Sequence, residues 1–456
     1  MKATRREILS LAGPSILANL TVPLVGLVDT AISGHLGALS ESEGFPGAAL
    51  IGGIAIGTML FNLLYWNFSF LRTGTGGLTA QAYGEEAAGE GRDGTRRTAA
   101  ILIRSLSIAL LSGLALIALQ WVFVKAAFLF VKTGEDVRTL SSRYFYIRIW
   151  AAPATLSLFA VKGWFIGMQD TVRPMVTDIT VTAVNVAGSI FLAFGPPSLG
   201  FDGIAIGTVI AQWTGLAAAG ILLLKGYGKT ALSALKKEDI KSILSDRKEG
   251  ARFFSVNRDL FFRSLGMIAI YIGFTTVSAR MGDLPLSVGS ILMQLLMIFS
   301  YFTDGFAYAG EALSGKYIGM GDLEGLRSSV RGVFCWSMGI AAGFIFVYAF
   351  GGVPMLRMMT TDADVISEGT KYLPWLLAMP LVGCAAFTWD GIYTGAAATR
   401  DLMLSAVLAA AGFFISWWLG SRLLGGTLHI LLAAYFIHLL IRTAYLSARA
   451  KAAVRI

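Results

Sequence analysis

The sequence predicts an all-α polytopic membrane protein with about twelve transmembrane helices in two six-helix lobes. Three observations lead to this fold class. Hydrophobic residues make up 55% of the 456 residues and charged residues only 14%, whereas a soluble domain carries about 25% charged residues. A spanning helix needs roughly 20 mostly apolar residues, and segments of that kind recur from Glu7 to Leu446 with short polar breaks. The third observation is an internal similarity between the two halves of the chain.

The first segment begins with the basic residues Lys2, Arg5 and Arg6 and continues as an apolar run, a pattern that is also typical of a signal peptide. The apolar run continues to about Leu36, no A-x-A cleavage site ends it, and further spans follow. We therefore interpret the segment as an uncleaved first helix.

The predicted spans follow one another as six, a linker and six. In chain order they are 8–36, 47–80, 98–130, 142–168, 172–195, 201–225, 251–281, 285–318, 326–350, 368–396, 401–421 and 427–447. The first six predict an N-lobe, residues 1–225, and the last six a C-lobe, residues 251–456. The stretch 226–250 is rich in lysine and polar residues, which predicts a cytoplasmic linker.

Basic residues indicate the orientation of the chain. Apart from the linker, they cluster before the first span and again after the last one, at Arg449, Lys451 and Arg455. The positive-inside rule then places both termini and the linker in the cytoplasm. We expect a multi-pass protein of the inner (cytoplasmic) membrane, and we attribute the net charge of +9 to this topology rather than to nucleic-acid binding.

The two halves share short motifs. The stretch GWFIGMQDTVRPM (163–175) aligns with GIYTGAAATRDLM (391–403), and each closes the fourth span of its half. Similarly, DTAISGHLG (29–37) aligns with FTTVSARMG (274–282). Two halves in the same orientation, related by an axis along the membrane normal, are typical of transporters that bind substrate between the halves.

Asp29 is an acid within an apolar run, with no basic residue nearer in sequence than His35 and with Phe274 opposite it in the repeat. A charged Asp near mid-membrane costs roughly 2.5 to 3.5 kcal/mol, so such residues face a bundle interior or a water-filled cavity. Burial favours the neutral form of a carboxyl group, which predicts a proton carrier. The alternative is an Asp that holds helices together through neighbouring hydroxyls. Pro14 in the same helix removes a backbone hydrogen bond and predicts a bend point.

Polar residues of the fifth and sixth spans offer further oxygens to a proton carrier or a small cation. Asn185 and Ser189 lie one turn apart in the fifth span, and Thr208 lies in the sixth. Singly, each is typical of helix packing. Their combination with Asp29 is what indicates a proton- or cation-binding site.

The second half contains its own polar and charged residues within apolar spans, at Asn257, Arg258, Asp259, Arg263, Asp304, Glu311 and Asp390. They are candidates for a substrate cavity or for coupling. Asp259 and Arg263 are i, i+4 neighbours that either neutralise each other or take part in coupling. Asp304 and Glu311 share one helix face. Together with Asp390, they predict an anionic cavity.

An anionic cavity with aromatic walls suits lipophilic cations, because an aromatic ring attracts a cation to its face. Candidate wall residues are Tyr65, Trp66, Phe68, Phe159, Trp164, Tyr301 and Phe302. The alternative for each of these residues is that it faces lipid or fills a packing gap.

Motifs of enzymes are missing from the sequence. The stretch TGTGG (73–77) has no preceding strand and no Gly-Lys-Ser/Thr, which argues against a phosphate loop. Cys335, Cys384 and the three histidines (His35, His429 and His438) have no metal-ligand or disulfide spacing. No Ser/His/Asp spacing is present either. We expect no enzyme activity, cofactor or metal, so that an ion gradient must supply the energy for any transport.

Several motifs resemble the DinF-like branch of the MATE family, the multidrug and toxic compound extrusion transporters. They are LTVPLVGLVDTAISGHLG, TGGLTAQAYG, GMQDTVRP, NRDLFFRSL, DGFAYAGEALSGK and DGIYTGAAATRD. The resemblance covers nearly the whole chain. It implies two six-helix lobes around a V-shaped central cavity, the MATE/MOP-type fold, and antiport of organic compounds against protons or sodium ions.

The resemblance also implies an N-lobe cation site, whose positions correspond to Asp29, Asn185, Ser189 and Thr208. The family has a second acid where this chain has Ser189. A site with one carboxylate should hold sodium less well, because hard cations prefer charged oxygen ligands. This favours protons as the coupling ion. Pro14 matches a first-helix proline that is proposed in the family to bend the helix when the Asp is protonated.

The predicted function is therefore proton-coupled export of amphipathic, often cationic organic compounds by alternating access, carried out by a monomer in the lipid bilayer. One alternative is sodium-coupled drug antiport. Another is a flippase or exporter of a lipid-linked or polysaccharide precursor, which should need a cavity rich in bases, whereas only Arg148, Arg258 and Arg263 are candidates. A channel would not need a two-lobe repeat.

Overall fold

The computed structural model describes residues 5–39, 45–89, 91–196, 198–233 and 237–454. Within these ranges the regular structure consists of seventeen α-helices and one short 3-10 helix, without a strand. This confirms the predicted all-α fold class.

The helices of the first half precede residue 234. They are α1 (Arg5–Leu39), α2 (Gly47–Phe68), α3 (Phe70–Ala87), α4 (Gly91–Ala118), α5 (Gln120–Phe130), α6 (Glu135–Arg148), α7 (Ala152–Gly167), α8 (Val172–Phe194) and α9 (Gly200–Ser233), with the 3-10 helix Ile149–Ala151 between α6 and α7. The linker contains α10 (Lys237–Ser245). The second half consists of α11 (Arg247–Arg280), α12 (Asp283–Gly319), α13 (Leu323–Met359), α14 (Ala363–Lys371), α15 (Leu373–Gly395), α16 (Thr399–Leu423) and α17 (Leu428–Ala453).

Eleven stretches of the described residues are long and apolar enough to cross a membrane. One of them, Ala48–Ala87, runs through both α2 and α3, which are separated at Ser69. The Ser69 hydroxyl donates to the Trp66 carbonyl at 2.7 Å, a local bond that competes with helix geometry. Helix α1 is not among the eleven, but it has 35 residues and carries no charge between Glu7 and Asp29. We count it as the first span, which gives the predicted twelve.

The turns that follow α7 and α15 show that the internal repeat extends to backbone geometry. Gln169 and Ala397 are equivalent in the sequence alignment, and both have positive φ angles, 61° and 52°. Such angles are uncommon in residues other than glycine. The next residue also repeats, because Asp170 N–H donates to the Phe165 carbonyl at 2.9 Å and Ala398 N–H to the Tyr393 carbonyl at 3.0 Å. The two halves therefore close their fourth spans in the same way.

Among the described residues, the second half has one large hydrophobic core, the first half has three smaller ones, and a further core joins the two halves. The joining core contains Ile8 and Leu11 of α1 and Leu78 of α3, packed with Leu313 of α12 and Tyr393 of α15. It therefore lies toward the N-terminal end of α1. The two halves are in firm contact at this end of the helix bundle.

The stretch TGTGG lies inside α3 and not in a loop. Its last glycine, Gly77, lies at a contact between the halves. We call Gly77 and Gly84 of α3, together with Gly319 of α12, the glycine seam. A Cβ at Gly77 would overlap the Thr394 carbonyl oxygen, and one at Gly84 would overlap that of Lys316. The absence of side chains lets the helix backbones touch, as in other membrane-helix interfaces. The glycines therefore serve helix packing across the two halves.

Polar contacts lie beside the glycine seam. Gln81 Nε2 donates to the Gly395 carbonyl at 2.9 Å, and Lys316 Nζ lies 2.7 Å from Glu7 Oε1. All of these groups belong to the end of the bundle that holds the start of α1. Apolar, backbone and ionic contacts thus coincide in closing this end.

Candidate functional site

Asp29 of α1 is 1% exposed, although it belongs to a helix that is expected to lie in the membrane. Its Oδ1 has no hydrogen-bond partner among the described residues. Helix α1 packs against α2, α8 and α9 of the first half and also against α12 and α13 of the second, and the groups that act on Asp29 belong to the first half. A buried acid with an oxygen left over can accept a hydrogen bond from a mobile donor or carry a proton itself.

The structure places two α6 residues, Tyr144 and Arg148, as electrostatic neighbours of Asp29. Arg148 Nη1 donates to the Tyr144 hydroxyl at 2.8 Å, and the guanidinium lies over the Phe61 ring at 4.8 Å. Arg148 is always charged. In the sequence the basic residue nearest to Asp29 is His35, whereas in the folded chain Arg148 of another helix acts on it.

Local packing explains how α6 presents these two residues together. Tyr144 and Arg148 are i, i+4 neighbours and therefore share one helix face. A Cβ on Gly57 of α2 would lie 2.5 Å from the Tyr144 ring, so glycine is needed at that position. Helix α6 ends at Arg148, and the chain continues through the 3-10 turn into Pro153, which cannot donate a backbone hydrogen bond.

The predicted oxygens of the fifth and sixth spans meet between α8 and α9. Asn185 Nδ2 donates to Thr208 Oγ1 at 2.9 Å, and Ser189 Oγ donates to the Ile204 carbonyl at 3.4 Å. All three predicted residues are buried. Asn185 Oδ1 has no partner among the described residues. No hydrogen bond within the described ranges links this group to Asp29, although α1 packs against both helices.

An ion pair crosses between the two halves in the middle of the bundle. Arg72 Nη1 of α3 lies 3.4 Å from Glu311 Oε2 of α12, and the guanidinium lies over the Tyr308 ring at 4.3 Å. Glu311 is 1% exposed, and a Cβ at Gly76 would overlap its Oε1. Arg72 therefore neutralises one of the three predicted cavity acids.

The other acids of the second half also have arginine partners. Asp390 Oδ2 accepts from Arg263 Nη2 at 2.5 Å and from Arg442 of α17. The suggested i, i+4 pair of Asp259 with Arg263 is therefore wrong, because Arg263 points to α15. Asp259 accepts instead from Arg258 Nη2 at 3.0 Å.

Asp304 lies in the electrostatic reach of Arg72, Arg263 and Asp390. The three predicted acids thus share their surroundings with Arg72, Arg263 and Arg442, and the prediction of a net anionic cavity is corrected to a charge-balanced layer. We call Arg72, Arg263, Arg442, Asp304, Glu311 and Asp390 the central charge layer. Asn257 of α11 lies against α3, because a Cβ added at Gly74 would be 2.5 Å from the Asn257 Oδ1.

A comparison with protein families identifies the chain. The MatE family model matches residues 14–191 and 260–418, which is more than half of the chain. The chain belongs to the MATE family. The match includes Asp29 and Asn185 of the first half and Glu311 of the second. As a MATE protein it is a transporter and not an enzyme, as the sequence predicted.

Two curated relatives extend this identification. The MATE chain is 32% identical over 427 residues to DNA damage-inducible protein F of Escherichia coli (strain K12), covering 93% of this chain and 88% of the relative. It is also 24% identical to Multidrug and toxin extrusion protein 1 of Homo sapiens, with 90% of this chain and 67% of that one covered. The predicted resemblance to the DinF-like branch is confirmed.

Solved structures confirm the two-lobe fold. The bent form of the MATE transporter VcmN from Vibrio cholerae matches with a TM-score of 0.80 and 15% identity, covering 99% of this chain and 97% of that one. A transporter described as an outward-facing multidrug resistance MATE protein matches with the same TM-score of 0.80 at 14% identity. At these identities the match concerns the fold alone.

The aromatic wall residues differ in this MATE chain from the prediction. Trp164 is buried, donates to the Thr98 carbonyl at 2.9 Å and packs edge-on against Tyr227, so it is a packing residue. Phe302 packs against Phe344 within the second half. Only Trp66 keeps a substantial exposed surface, and its ring meets that of Tyr271 across the two halves at 5.3 Å.

The remaining wall candidates have mixed positions. Tyr65 packs at 5.4 Å from Phe61, beside Arg148, and its hydroxyl has no hydrogen-bond partner among the described residues. The Tyr301 carbonyl accepts from Asn19 at 3.2 Å across the lobes. Phe68 and Phe159 pack around the same small apolar cluster. These residues therefore do not form a continuous wall.

Arg72 and Arg442 were not indicated as site residues by the sequence. Each is a lone charge in an apolar environment, which is a signal for function in a membrane protein. Arg72 stands next to the glycine-rich TGTGG, and Arg442 follows the apolar run of α17. Both arginines could have been predicted if every charged residue within an apolar span, basic as well as acidic, had counted as a candidate site residue.

Proposed function

We propose that this MATE transporter is a secondary active antiporter that exports amphipathic organic compounds in exchange for protons. The observation that carries the proposal is the burial of Asp29 in the first half, with an unpartnered Oδ1. A carboxyl group there can exist in a charged and a neutral form. Protonation adds one hydrogen-bond donor to a lobe in which Asn185 Oδ1 is an unpartnered acceptor. The change in hydrogen bonding couples the proton to the arrangement of α1.

Pro14 supports a role for α1 as the moving element. Proline cannot donate to the carbonyl four residues earlier, which is that of Ser10. The structure replaces this missing bond by Thr171 Oγ1, which donates to the Ser10 carbonyl at 3.3 Å. The residues before Pro14 pack in the core that joins the lobes, whereas Asp29 lies beyond it. A bend at Pro14 would therefore link the protonation of Asp29 to the contact between the lobes.

The closed end of the bundle supports an outward-facing arrangement. The seam, the Lys316–Glu7 ion pair and the Gln81–Gly395 hydrogen bond all join the lobes near the start of α1. By the positive-inside rule this end is cytoplasmic, in an inner membrane with both termini inside. In the proposed cycle, protonation of Asp29 from outside displaces substrate, and inward opening releases the proton to the cytoplasm.

The central charge layer bears on the substrate class. With three acids and three arginines, it offers partners to both charges of an organic compound rather than to cations alone. We therefore propose amphipathic compounds that are cationic or carry both charges. The human relative is named for multidrug and toxin extrusion, which supports small organic substrates. We propose that a monomer carries out this cycle.

Two other functions stay in competition. Sodium-coupled antiport would use the same Asp29 site. A flippase or exporter of an anionic lipid-linked or polysaccharide precursor is favoured by Arg72 and Arg442, which add to the bases that the sequence suggested. Both arginines are paired with acids, however, and are thereby less available to an anionic headgroup. Antiport of organic compounds is therefore the first proposal.

The test is transport by purified protein in proteoliposomes, with pH and sodium gradients imposed separately. A fluorescent amphipathic cation and a matched zwitterion serve as substrates, and a lipid-linked anion serves as the competing substrate. We expect a pH gradient alone to drive exchange of the organic compounds. Exchange driven only by sodium would establish the second candidate, and movement of the lipid-linked anion alone would establish the third.

A further inference from the structure

Arg148 gives the N-lobe site a permanent positive charge. Its guanidinium is held by the Tyr144 hydroxyl at 2.8 Å and by the face of Phe61 at 4.8 Å. Phe61 is itself stacked on Phe145 at 4.5 Å, so the ring under the cation is fixed by the apolar core. The Arg148 side chain is therefore held in a fixed position within the lobe by these contacts.

We propose that Arg148 determines the ion specificity of the Asp29 site by acting as a tethered cation that excludes sodium. This inference rests on the proposed function, because it assumes that Asp29 is the coupling group. The formal charge of Asp29 and Arg148 together is zero. Binding of either a sodium ion or a proton makes the pair net positive. The proton offsets this by forming a covalent O–H bond with the carboxyl group, whereas sodium depends on charged oxygen ligands that the arginine counteracts.

The groups around the pair strengthen the assignment. Helix α2 contributes the phenol of Tyr65 and helix α6 that of Tyr144, and both act on Arg148. Phenols are neutral near neutral pH. Within the described residues, Arg148 is the charged side chain that acts on Asp29. Helix α8 contributes the neutral side chains of Asn185 and Ser189 to the same lobe, and neither carries a charge that offsets the arginine.

Tyr144 is the link between the two charges. Its oxygen accepts from Arg148, and a hydroxyl that accepts one hydrogen bond can still donate its own hydrogen to a carboxylate. Asp29 is its neighbour, because Ile32, one turn further along α1, packs in the same apolar core as Tyr144 and Phe61. Tyr144 therefore transmits the charge state of Asp29 to Arg148, and the phenol works as a positioning residue for the pair.

The test is sodium binding to purified protein in detergent, measured as the shift in Tm with sodium chloride against matched choline chloride. For Arg148→Gln we expect a sodium-specific rise in Tm and about tenfold tighter sodium binding than for the original chain, because one nearby positive charge is removed. Arg148→Lys keeps the charge and should stay insensitive to sodium. Asp29→Asn combined with Arg148→Gln should lose the sodium response.

A folded Arg148→Gln variant without a sodium-specific shift would overturn the inference. If that variant does not fold, Arg148→Met takes its place, since its straight side chain can still cover Phe61 without a charge. None of these titrations requires transport, so the absence of proton exchange in proteoliposomes would refute only the antiport proposal.

Discussion

Arg72 of α3 and Glu311 of α12 form an ion pair that joins the two lobes, with 3.4 Å between Nη1 and Oε2. Glu311 is buried, and its Oε1 has no hydrogen-bond partner among the described residues. Because the pair belongs to both lobes, it must be broken or carried along when they separate. It is therefore a direct probe of the contact between the lobes.

Removal of Arg72 should destabilise the closed arrangement. Breaking a buried pair from one side costs about 3 to 5 kcal/mol, and since Arg72 is 21% exposed we expect about 2 kcal/mol for Arg72→Gln. The double variant Arg72→Gln/Glu311→Gln should recover most of this loss, because no charge is left unpaired. Thermal unfolding in detergent measures both effects, with Arg357→Gln at an exposed position as the control. A double variant as unstable as the sum of the single ones would contradict the ion pair.

Asp29→Asn should abolish drug efflux driven by a pH gradient and leave insertion and Tm nearly unchanged. Asparagine mimics the neutral acid but cannot release a proton. Proteoliposome efflux with an imposed pH gradient measures the loss, and Asp136→Asn, at an exposed acid near the start of α6, is the matched control. Normal drug-evoked proton movement in Asp29→Asn would remove this residue from the coupling mechanism.

Pro14→Ala should make α1 more regular and slow transport. Alanine restores an N–H that can donate to the Ser10 carbonyl, in competition with Thr171. We expect an unchanged or higher Tm together with a lower turnover number. Thr171→Val is the companion variant, because it removes the other donor and should lower Tm. Wild-type turnover in a stably folded Pro14→Ala variant would exclude bending at this residue from the cycle.

Gly77→Ala should weaken the glycine seam. The added Cβ would overlap a backbone oxygen of Thr394, which cannot turn away as a flexible side chain could. Overpacking of this kind costs about 1 to 3 kcal/mol. Gly220→Ala in α9 is the control, since nothing lies within 4 Å of its added Cβ, and alanine there should be neutral or slightly stabilising. Equal Tm values for the two variants would show that the lobes do not meet at Gly77.

Asp322 should stabilise the start of α13 in its charged form. Its Oδ1 accepts from Gly325 N–H at 2.8 Å, and this backbone hydrogen bond lowers the pKa of Asp322 from its usual 3.8. A lowered pKa means that the stabilisation is fully present above about pH 4 and is lost as the pH falls through the folded-state pKa. Asp322→Ala should cost about 1 kcal/mol at neutral pH.

The measurement for Asp322 is the difference in Tm between the original chain and Asp322→Ala at several pH values. This difference should shrink as the pH approaches 3, since protonation removes the charged acceptor from both the folded and the unfolded chain. Asp322→Asn keeps an acceptor oxygen and should lie between the two at neutral pH. A difference independent of pH would assign the effect to something other than the charged cap.

The positions of the spans and the internal repeat could be predicted because they depend on local composition and short motifs. The alignment of 163–175 with 391–403 even places the two unusual turn residues, Gln169 and Ala397, at equivalent positions. In the structure most helix ends lie beyond the ends of the predicted spans. Helix α13, for example, continues to Met359, whereas its predicted span ends at 350. In α13 the helix continues through Gly351, Gly352 and Pro354, residue types that disfavour a helix interior but do not end this helix.

Charge partners could not be predicted, because they depend on how each helix is rotated about its axis. Arg263 is one turn from Asp259 on the same helix, yet its side chain meets Asp390 of α15. For the same reason the sequence did not predict that Arg148 lies near Asp29, because the two residues are brought together only when α1, α2 and α6 pack. The oxygens of Asn185 and Thr208 were easier to predict, since α8 and α9 are adjacent in sequence and form a hairpin.

The glycine seam has a further consequence for the energy of opening. Where the seam parts, the groups newly exposed to water include the carbonyl oxygens of Thr394 and Lys316 rather than large apolar side chains. Water can hydrogen-bond to carbonyl oxygens at once, whereas exposed aliphatic surface would be penalised by about 25 cal/mol for each Å². A seam built of backbone therefore lowers the cost of parting the lobes along this line, so that the main penalty of opening falls on the joining core beside it.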